Sequence, residues 1–494
     1  MLYESTRGIK GITSKQAIQN GIASDGGLFI PEKFINIDLN NIIQFNNYKE
    51  FAYYILKDYL DDFSDTELNE CINNAYNDNK FDKDVVELVK LDNNKFALEL
   101  WHGPTYAFKD VALQILPHLL IKSIDKLETK KALILVATSG DTGKAALEGF
   151  KDVVNTKIIV FYPSEGVSEV QKRQMTTQEG KNTFVAGIKG NFDDAQNGVK
   201  EIFTSDENCK RIKDEGYFFT SANSINWGRL IPQIVYYAYS YIKLVKTNEI
   251  ELGQKVNFVV PTGNFGNVLA GYLAKEMGLP INKLIVASNK NNVLTDFINK
   301  GVYDRRRQFY KTISPSMDIL IASNLERLLY LVSNRDSEKI KILMDKLKRD
   351  GYYNIEEDLL NKIKDSFYAD YSTDAETKQE IKKVYKIHDY LIDTHSAVAF
   401  NVYNKYFDKT GDLTKTIILQ TANPYKFAYD VLNALEDNKY IDINHFDAID
   451  MLNKITKKEI PQGIKTIREK NILHPNIIEK NEMMMYILEK IKEK

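Results

Sequence analysis

The chain has 494 residues, more than one hydrophobic core usually serves, so two or three structural lobes are expected. Hydrophobic residues make up 43% and charged residues 27%, which is ordinary for a globular protein and excludes a largely disordered chain. The formal net charge is −2 with both signs interspersed, which argues against nucleic acid or an anionic membrane as a partner.

Signals for secretion, membrane insertion and metal binding are all missing from the sequence. No apolar run reaches the roughly 18 residues of a membrane span, and the N-terminus lacks the apolar run of a signal peptide. Cys71 and Cys209 are too few for a disulfide framework, and the six histidines are not spaced to place two nitrogens on one metal. We therefore expect a cytoplasmic protein without a metal site.

The hydrophobic pattern divides the chain into three regions. Residues 1–95 show mostly helical periodicity and predict a helical N-terminal lobe. Regions 96–250 and 251–494 contain short aliphatic runs, each followed by a turn and a helical stretch, which predicts an α/β fold with a helical insertion near 325–390. The runs are continuously apolar, as in strands buried on both faces of a parallel sheet. They comprise residues 132–136, 158–161, 257–260, 284–287 and 416–419.

Lys109 follows a Gly-Pro turn in the segment LWHGPTYAFKD, residues 100–110. It stands in the first turn of a predicted helix, where a cation opposes the helix dipole. A lysine there gains from being neutral, and a neutral amine is what Schiff-base chemistry with an aldehyde requires. An ordinary solvated lysine is the alternative that position alone leaves open. Pro117 lies within the same apolar stripe and predicts a break in the helix near Leu113.

Residues 136–146, VATSGDTGKAA, are typical of a strand, a hydroxyl-rich glycine turn and the start of a helix. Backbone N–H groups and hydroxyls converge in such a turn, as a site for an anion or a carboxylate requires. The segment does not match a nucleotide-binding P-loop, because Thr138 replaces the first glycine and Ala145 replaces the hydroxyl that would bind magnesium.

Two later strands end in turns of similar design. In PTGNFGN, residues 261–267, two glycines three apart let the backbone approach a phosphate ahead of a helix N-terminus. The spacing differs from the G-x-G-x-x-G of dinucleotide folds, and a tight turn without ligand is the alternative. In TANPYKF, residues 421–427, a buried strand ends at Thr421, which is placed either to meet a ligand or to cap a helix.

Together these segments resemble those of threonine synthases. The resemblance extends from STRG and DGGL near the N-terminus through HGPTYAFKD, ATSGDTG, SANSINW, PTGNFGN, SMDI and HSAV to TANPYKF, so it covers most of the chain. Threonine synthases use pyridoxal 5'-phosphate and share their fold, type II, with the tryptophan synthase β subunit. The resemblance therefore implies two open, mostly parallel sheets with helices on both faces, beside the helical N-terminal lobe.

The resemblance also implies roles for individual residues. Lys109 would carry the cofactor as a Schiff base and act as the catalytic residue, while Thr421 would face the pyridine nitrogen. The loop that holds the cofactor phosphate would consist of Gly263, Asn264, Phe265, Gly266 and Asn267. Residues on the substrate side would be Thr105, Ser139, Asp141, Thr142, Ser224, Asn226 and Arg229, of which Arg229 would meet the substrate's own phosphate.

The implied reaction converts O-phospho-L-homoserine, a small-molecule substrate, and water into L-threonine and phosphate. The alternatives are a related phospho-lyase that releases 2-oxobutyrate, ammonia and phosphate, and a catalytically silent relative. Most family members have His where this chain has Asn423; since Asn cannot titrate, we expect it to orient the site rather than to move protons. His102 and His395 are then the histidine candidates near the site. The expected assembly is a monomer or a homodimer.

Overall fold

The computed structural model describes residues 1–81, 84–124, 131–138, 140–164, 167–190 and 192–493. The strands are β1 (Tyr3–Ser5), β2 (Phe29–Pro31), β3 (Glu87–Lys90), β4 (Lys95–Glu99), β5 (Lys131–Ala137), β6 (Thr156–Pro163), β7 (Thr183–Ile188), β8 (Tyr217–Thr220), β9 (Val256–Pro261), β10 (Ile281–Ser288), β11 (Val302–Asp304), β12 (Tyr352–Asn354), β13 (Phe367–Tyr371), β14 (Thr416–Gln420) and β15 (Ile477–Ile478).

The α-helices are α1 (Ser14–Asn20), α2 (Leu39–Ile42), α3 (Tyr48–Leu56), α4 (Asp65–Ala75), α5 (Lys109–Leu113), α6 (Leu116–Ser123), α7 (Asp141–Phe150), α8 (Glu169–Thr176), α9 (Phe192–Thr204), α10 (Asp206–Asp214), α11 (Trp227–Lys246), α12 (Gly266–Glu276), α13 (Val293–Lys300), α14 (Leu325–Val332), α15 (Ser337–Asp350), α16 (Glu357–Ser366), α17 (Asp374–His388), α18 (Thr394–Thr410), α19 (Ala428–Leu435), α20 (His445–Thr456), α21 (Gln462–Lys465) and α22 (Met483–Lys492). Short 3-10 helices span Pro315–Met317, Pro424–Phe427 and Lys480–Glu482.

The larger sheet has the described strands in the order β13-β10-β9-β14-β4-β3, and all its pairs are parallel except that of β3 with β4. Val259 of β9 pairs with Ile285 on one side and with Ile418 on the other. These three side chains belong to the core against which α18 packs, whereas Phe258 and Val260 belong to the core that contains α11 and α12. Because successive side chains of a strand point to opposite faces, helices cover both faces of this sheet.

The smaller sheet has the described strands in the order β15-β7-β6-β5-β8, all parallel. Its side chains divide in the same way: Leu133 and Leu135 face the core that includes α9 and α22, while Ile134 and Val136 face the large core shared with the N-terminal helices. Two open, mostly parallel sheets with helices on both faces are therefore confirmed as the fold.

All five predicted apolar runs are strands, β5, β6, β9, β10 and β14, and all lie in the parallel parts of the two sheets. The other described strands of the two sheets, β3, β4, β7, β8, β13 and β15, were not predicted. Strand β13 lies within the predicted helical insertion and forms an edge of the larger sheet, where half-exposed residues give a weak hydrophobic signal. Strand β3 is the opposite edge and is likewise only partly buried.

The predicted helix break before Pro117 is confirmed. Helix α5 ends at Leu113, and α6 begins at Leu116, so Pro117 occupies the first turn of the new helix. A proline in the first turn costs no helical hydrogen bond, because its missing N–H would have had no partner there.

The two sheets do not follow the three regions drawn from the sequence, whose boundaries stay a prediction. The larger sheet takes β3 and β4 from before residue 100 and its other strands from after residue 255, so the chain enters it, leaves for the smaller sheet and returns. Within the described ranges, no helix combines the length and the apolar character needed to cross a membrane.

Candidate active site

Lys109 begins α5 at the end of the loop that follows β4. The loop is tied to the segment that follows β14: the Phe108 N–H donates to the Thr421 carbonyl at 2.9 Å, and the Asn423 N–H donates to the Tyr106 carbonyl at 3.0 Å. Tyr106 has a φ of 59°, in the left-handed region that an aromatic residue rarely adopts. Backbone hydrogen bonds thus hold the Lys109 loop and the Thr421 loop together.

The Lys109 amine is buried, with 11% of its side chain exposed. Its Nζ lies 3.5 Å from Ser316 Oγ and 3.9 Å from Asp141 Oδ2. The pKa of Lys109 is lowered to about 8: burial lowers it most, Asp141 opposes this effect, and Arg229 and Lys426 add to the lowering. The solvated-lysine alternative is therefore wrong, and this amine reaches its neutral form in mildly alkaline solution.

Asp141, the first residue of α7, is buried and forms an ion pair with Lys426, whose Nζ lies 2.7 Å from Asp141 Oδ1. Gln171 Nε2 donates to the same oxygen at 2.9 Å, and Ser316 Oγ donates to Oδ2 at 3.3 Å. Burial opposes ionisation of Asp141, but Lys426 and Lys109 together hold its pKa below the usual range. The carboxylate nearest Lys109 is therefore ionised and already paired.

Thr105 is the second hydrogen-bond partner of Lys426. Lys426 Nζ also donates to the Thr105 carbonyl at 2.8 Å, so the fully buried lysine has two oxygen partners. The Thr105 N–H and hydroxyl both donate to Asp110, at 2.8 and 2.6 Å. Thr105 therefore orders the loop before Lys109 through contacts within the protein.

The loop between β9 and α12 forms a cradle lined by backbone. Phe265 has a φ of 64°, and a Cβ added to Gly263 would lie 2.8 Å from the Ser316 carbonyl oxygen, so only glycine fits there. Asn324 binds the cradle from outside, donating to the Asn264 carbonyl through its N–H at 3.1 Å and its Nδ2 at 3.2 Å. The backbone of this loop is thus held in one conformation.

Asn267 offers the cradle a buried donor. Its Oδ1 accepts hydrogen bonds from the hydroxyls of Tyr236, at 2.5 Å, and Tyr237, at 2.9 Å, which fixes the orientation of the amide. Its Nδ2 is buried and has no partner among the described residues. Since buried polar groups in proteins are nearly always hydrogen-bonded, an unpaired donor beside a glycine turn at a helix N-terminus fits a bound phosphate.

Thr421 follows β14 and is buried. Its backbone is engaged with Phe108 and with Ser396 Oγ, 3.4 Å away, but its hydroxyl forms no hydrogen bond with the described residues. The helix-capping alternative is wrong for Thr421, because Asn423 caps the following turn, its Oδ1 accepting from the Tyr425 N–H at 3.0 Å. The hydroxyl is thus available to a ligand, and that Asn423 orients the site stays a prediction.

Apart from Thr105, which lies in the loop after β4, the substrate-side candidates follow strands of the smaller sheet. Thr142 lies in the first turn of α7, after β5, while Ser224, Asn226 and Arg229 follow β8. Ser139 lies outside the described residues. Ser224 Oγ accepts from Asn324 Nδ2 at 3.2 Å and so links this side to the cradle.

Asn226 and Arg229 differ in what they offer a ligand. Asn226 caps α11 by accepting from the Gly228 N–H at 2.9 Å and donates to two backbone carbonyls, so its amide shapes the loop. Arg229 is buried and donates to the Ala222 carbonyl at 2.9 Å, but forms no ion pair with a described carboxylate. Burial lowers its pKa to about 10. A buried guanidinium without a counterion fits a binding site for an anion.

The site as a whole lies between the two sheets. Three neighbouring strands of the larger sheet, β9, β14 and β4, end in the cradle, Thr421 and Lys109. Two neighbouring strands of the smaller sheet, β5 and β8, end in the Asp141 turn and the segment that leads to Arg229. Ligands of open α/β sheets lie beyond such strand ends.

Sequence reasoning missed Ser316 and Lys426, which meet here, but it named His395 as a candidate near the site. Ser316, which contacts both Lys109 and Asp141, donates its N–H to His395 Nε2 at 3.1 Å, and His395 Nδ1 lies 2.7 Å from the buried Asp393. Two signals in the sequence could have indicated these residues. Ser316 and His395 lie in motifs on which the resemblance rests, and Lys426 is a cation within an apolar stretch. His102 instead pairs with Glu99 at 2.8 Å.

Comparisons with known proteins agree with this geometry. Family models match residues 2–76, described as "Threonine synthase N terminus", and residues 87–419, described as "Pyridoxal-phosphate dependent enzyme". Threonine synthase from Saccharomyces cerevisiae is 36% identical over 88% of this chain and 89% of its own length. Threonine synthase-like 1 from Homo sapiens is 40% identical over 85% of this chain, which spans only 58% of that relative.

A solved structure gives the same answer for the fold. The crystal structure of threonine synthase from Brucella melitensis with bound pyridoxal phosphate superposes with a TM-score of 0.87, at 35% identity and over the full length of both chains. Pyridoxal phosphate is the cofactor, and the buried lysine, the unpaired Asn267 amide and the free Thr421 hydroxyl fit it. The chain belongs to the threonine synthase family of pyridoxal-phosphate-dependent enzymes.

Proposed function

We propose that this protein is a threonine synthase, a lyase that converts O-phospho-L-homoserine and water into L-threonine and phosphate. The observation that carries the proposal is the buried Arg229, a cation without a described counterion that lies close enough to lower the pKa of Lys109. The cradle at 263–267 supplies a place for the cofactor phosphate, so Arg229 is left for a second phosphate, that of the substrate. Two anion sites near one amine of lowered pKa match a phosphorylated amino acid better than an unphosphorylated one.

The proposed roles follow from the contacts of each residue. When bound, the cofactor supplies an electron sink conjugated to the substrate's Cα. Gly263 to Asn267 would hold its phosphate with backbone N–H groups and the Asn267 amide, and the neutral Thr421 hydroxyl would be the partner of its pyridine nitrogen. A neutral partner at that nitrogen weakens the sink and favours elimination and addition over amino-group transfer.

Lys109 is the proposed proton carrier. Its Nζ, with a pKa of about 8, takes one proton from the substrate's Cα and a second from Cβ as the γ-phosphate leaves. These protons are returned to Cγ and, after water has added at Cβ, to Cα. Ser316 Oγ and Asp141 Oδ2 lie within 4 Å of this nitrogen and restrict where the freed amine can point. Arg229 holds the γ-phosphate as it leaves, and Ser139, Asp141, Thr142, Ser224 and Asn226 shape the substrate side.

The decisive experiment is a product assay with O-phosphohomoserine. Threonine and phosphate in equal amounts are expected; 2-oxobutyrate and ammonia would instead identify the phospho-lyase, and no product from cofactor-loaded protein would identify the silent relative. Borohydride reduction is expected to fix the cofactor's mass on the peptide that contains Lys109. Label on another lysine would contradict the assignment.

Lys109→Ala is the variant for both assays, with Lys122→Ala as the control. Lys122 lies on α6 and is partly exposed and paired with Glu70, so its loss should change neither labelling nor turnover. The cytoplasmic location and the monomeric or dimeric state stay predictions, for which cell fractionation and light scattering are the measurements.

A further inference from the structure

A second cavity, of about 470 Å³, lies where α4, α6 and the end of α7 meet. Its volume falls within the roughly 300–1,000 Å³ of small-molecule sites. No residue of the candidate active site lines it. Its apolar wall includes Ile121, Val153 and Val154, and its polar wall carries lysines, carboxylates and the imidazole of His118.

Most charged groups of the cavity are already paired with other protein groups. Glu70 pairs with Lys122 at 2.6 Å, and Glu148 pairs with Lys144 at 3.0 Å. Lys151 pairs with a glutamate outside the cavity at 3.0 Å. The carboxylate of Asp152 accepts a backbone N–H at 2.8 Å. These groups therefore neither require a ligand nor attract one strongly.

Among the described residues of the wall, the imidazole of His118 and the amine of Lys80 are left without a partner. His118 Nε2 is buried and has no hydrogen-bond partner among the described residues. Lys80 Nζ forms neither a hydrogen bond nor an ion pair with any residue in the described ranges, although burial lowers its pKa. The two lie close enough that Lys80, in addition to burial, lowers the pKa of His118 to about 4. A neutral imidazole and a lone ammonium group are both able to donate to the same acceptor.

We propose that this cavity is a binding site for a small monocarboxylate with a short branched aliphatic body. The carboxylate would accept hydrogen bonds from Lys80 and His118, and the aliphatic part would pack against Ile121, Val153 and Val154. Among the described residues of the wall, Lys80 is a cation without an ion pair and Asp152 is a carboxylate without one. A singly charged carboxylate is therefore favoured over a phosphate dianion. An apolar wall of this extent gives a bare inorganic anion nothing to contact.

The cavity floor is preformed. A Cβ added to Gly149 of α7 would lie 2.0 Å from the Leu113 carbonyl oxygen of α5, so the two helices touch backbone to backbone. Little ordering of the protein would therefore oppose binding. Because α5 begins at Lys109 and α7 begins at Asp141, the same junction also supports the active site.

The test follows the imidazole signals of the cofactor-loaded protein by NMR with isotope-labelled histidine, while isovalerate, inorganic phosphate or isobutylamine is added. Six histidines keep the spectrum simple, and His118→Asn assigns the signal. A saturable shift of the His118 signal is expected at millimolar isovalerate, and a much weaker response to phosphate and to isobutylamine. Absence of a shift, or tighter binding of phosphate, would overturn the proposal.

Two matched lysine variants test which side chain binds the carboxylate of isovalerate. Lys80→Met should weaken isovalerate binding by about tenfold or more, since a hydrogen bond to a charged group is worth about 1.5–3 kcal/mol. Lys122→Met, at the same cavity but already paired with Glu70, should leave binding unchanged. Equal effects of the two variants, or no effect of Lys80→Met, would show that the carboxylate is not recognised as proposed. The readout does not involve turnover, so it stands apart from the proposed reaction.

Discussion

Lys426 Nζ lies 2.7 Å from Asp141 Oδ1, so the carboxylate nearest Lys109 is neutralised by a different lysine. Lys426 follows a strand of the larger sheet, and Asp141 begins a helix that follows a strand of the smaller one. The pair therefore joins the two halves of the site. It also spares Lys109 a full counterion, which would otherwise hold the amine in its charged form.

Removing Lys426 should make Lys109 more basic. In Lys426→Met, Asp141 loses its nearest cation and acts on Lys109 alone, so the pKa of Lys109 should rise above its present value of about 8. The measurement is the pH dependence of the modification rate of Lys109 by an amine reagent in cofactor-free protein, followed by mass spectrometry. Only the neutral amine reacts, so the curve should move to higher pH.

Asp141→Asn provides the opposite change at the same pair. Asp141 raises the pKa of Lys109, so its loss should move the modification curve to lower pH. Each variant breaks a buried ion pair and should cost about 3–5 kcal/mol of unfolding free energy. Curves that move in the same direction for both variants would show that the pair does not set the charge of Lys109.

Asn267→Asp should weaken binding of the cofactor through its phosphate alone. The isosteric carboxylate still accepts hydrogen bonds from Tyr236 and Tyr237, but it replaces the unpaired Nδ2 donor with a negative charge. Affinity for pyridoxal phosphate should fall by at least tenfold, about 1.4 kcal/mol. Affinity for pyridoxal, which lacks the phosphate, serves as the control and should change little. A similar loss for both compounds would indicate a damaged fold instead.

His395 should position Ser316 rather than exchange protons with a ligand. Because Nε2 accepts the Ser316 N–H, the ring proton resides on Nδ1 and is donated to Asp393. His395→Leu leaves the Ser316 N–H unsatisfied, whereas Asp393 keeps the hydrogen bonds from the backbone N–H groups of residues 395 and 396. The unfolding free energy should therefore fall by about 1–3 kcal/mol. The variant should also shift the Lys109 modification curve, since Ser316 contacts that amine.

His395→Gln distinguishes a positioning role of the His395 side chain from an effect of its size. A glutamine oxygen is able to accept the Ser316 N–H, so this variant should restore the Lys109 curve toward that of the natural protein. If the leucine and glutamine variants shift the curve equally, His395 does not act through Ser316.

Arg229→Met should separate stability from substrate binding. The natural guanidinium is buried without a described counterion, and such a group is costly to desolvate. Its replacement by an apolar side chain of similar length should leave the melting temperature unchanged or raise it, while KM for O-phosphohomoserine rises by at least tenfold, about 1.4 kcal/mol. A variant that melts much lower, or that keeps its KM, would contradict a role in binding the substrate phosphate.

The strands and the turns that follow them were predictable because their signals are local. Continuous apolar runs identify β5, β6, β9, β10 and β14, and the glycine turns mark where backbone must approach a ligand. Lys426 and Ser316 were not predictable in the same way. Their importance depends on contacts across hundreds of residues, such as the Lys426–Asp141 pair, which no periodicity encodes. The unpaired Nδ2 of Asn267 was likewise not predictable, because it depends on two tyrosine hydroxyls that bind Oδ1 and fix the orientation of the amide.

The backbone hydrogen bonds between residues 106–108 and 421–423 have a mechanical consequence. They fix the loop that carries Lys109 to the segment after β14, and the cradle follows β9, the next strand of the same sheet. If the smaller sheet moved away from the larger one, Lys109, Thr421 and the cradle would keep their positions relative to one another. The substrate could then enter and the product leave while the cofactor stays bound to the larger sheet.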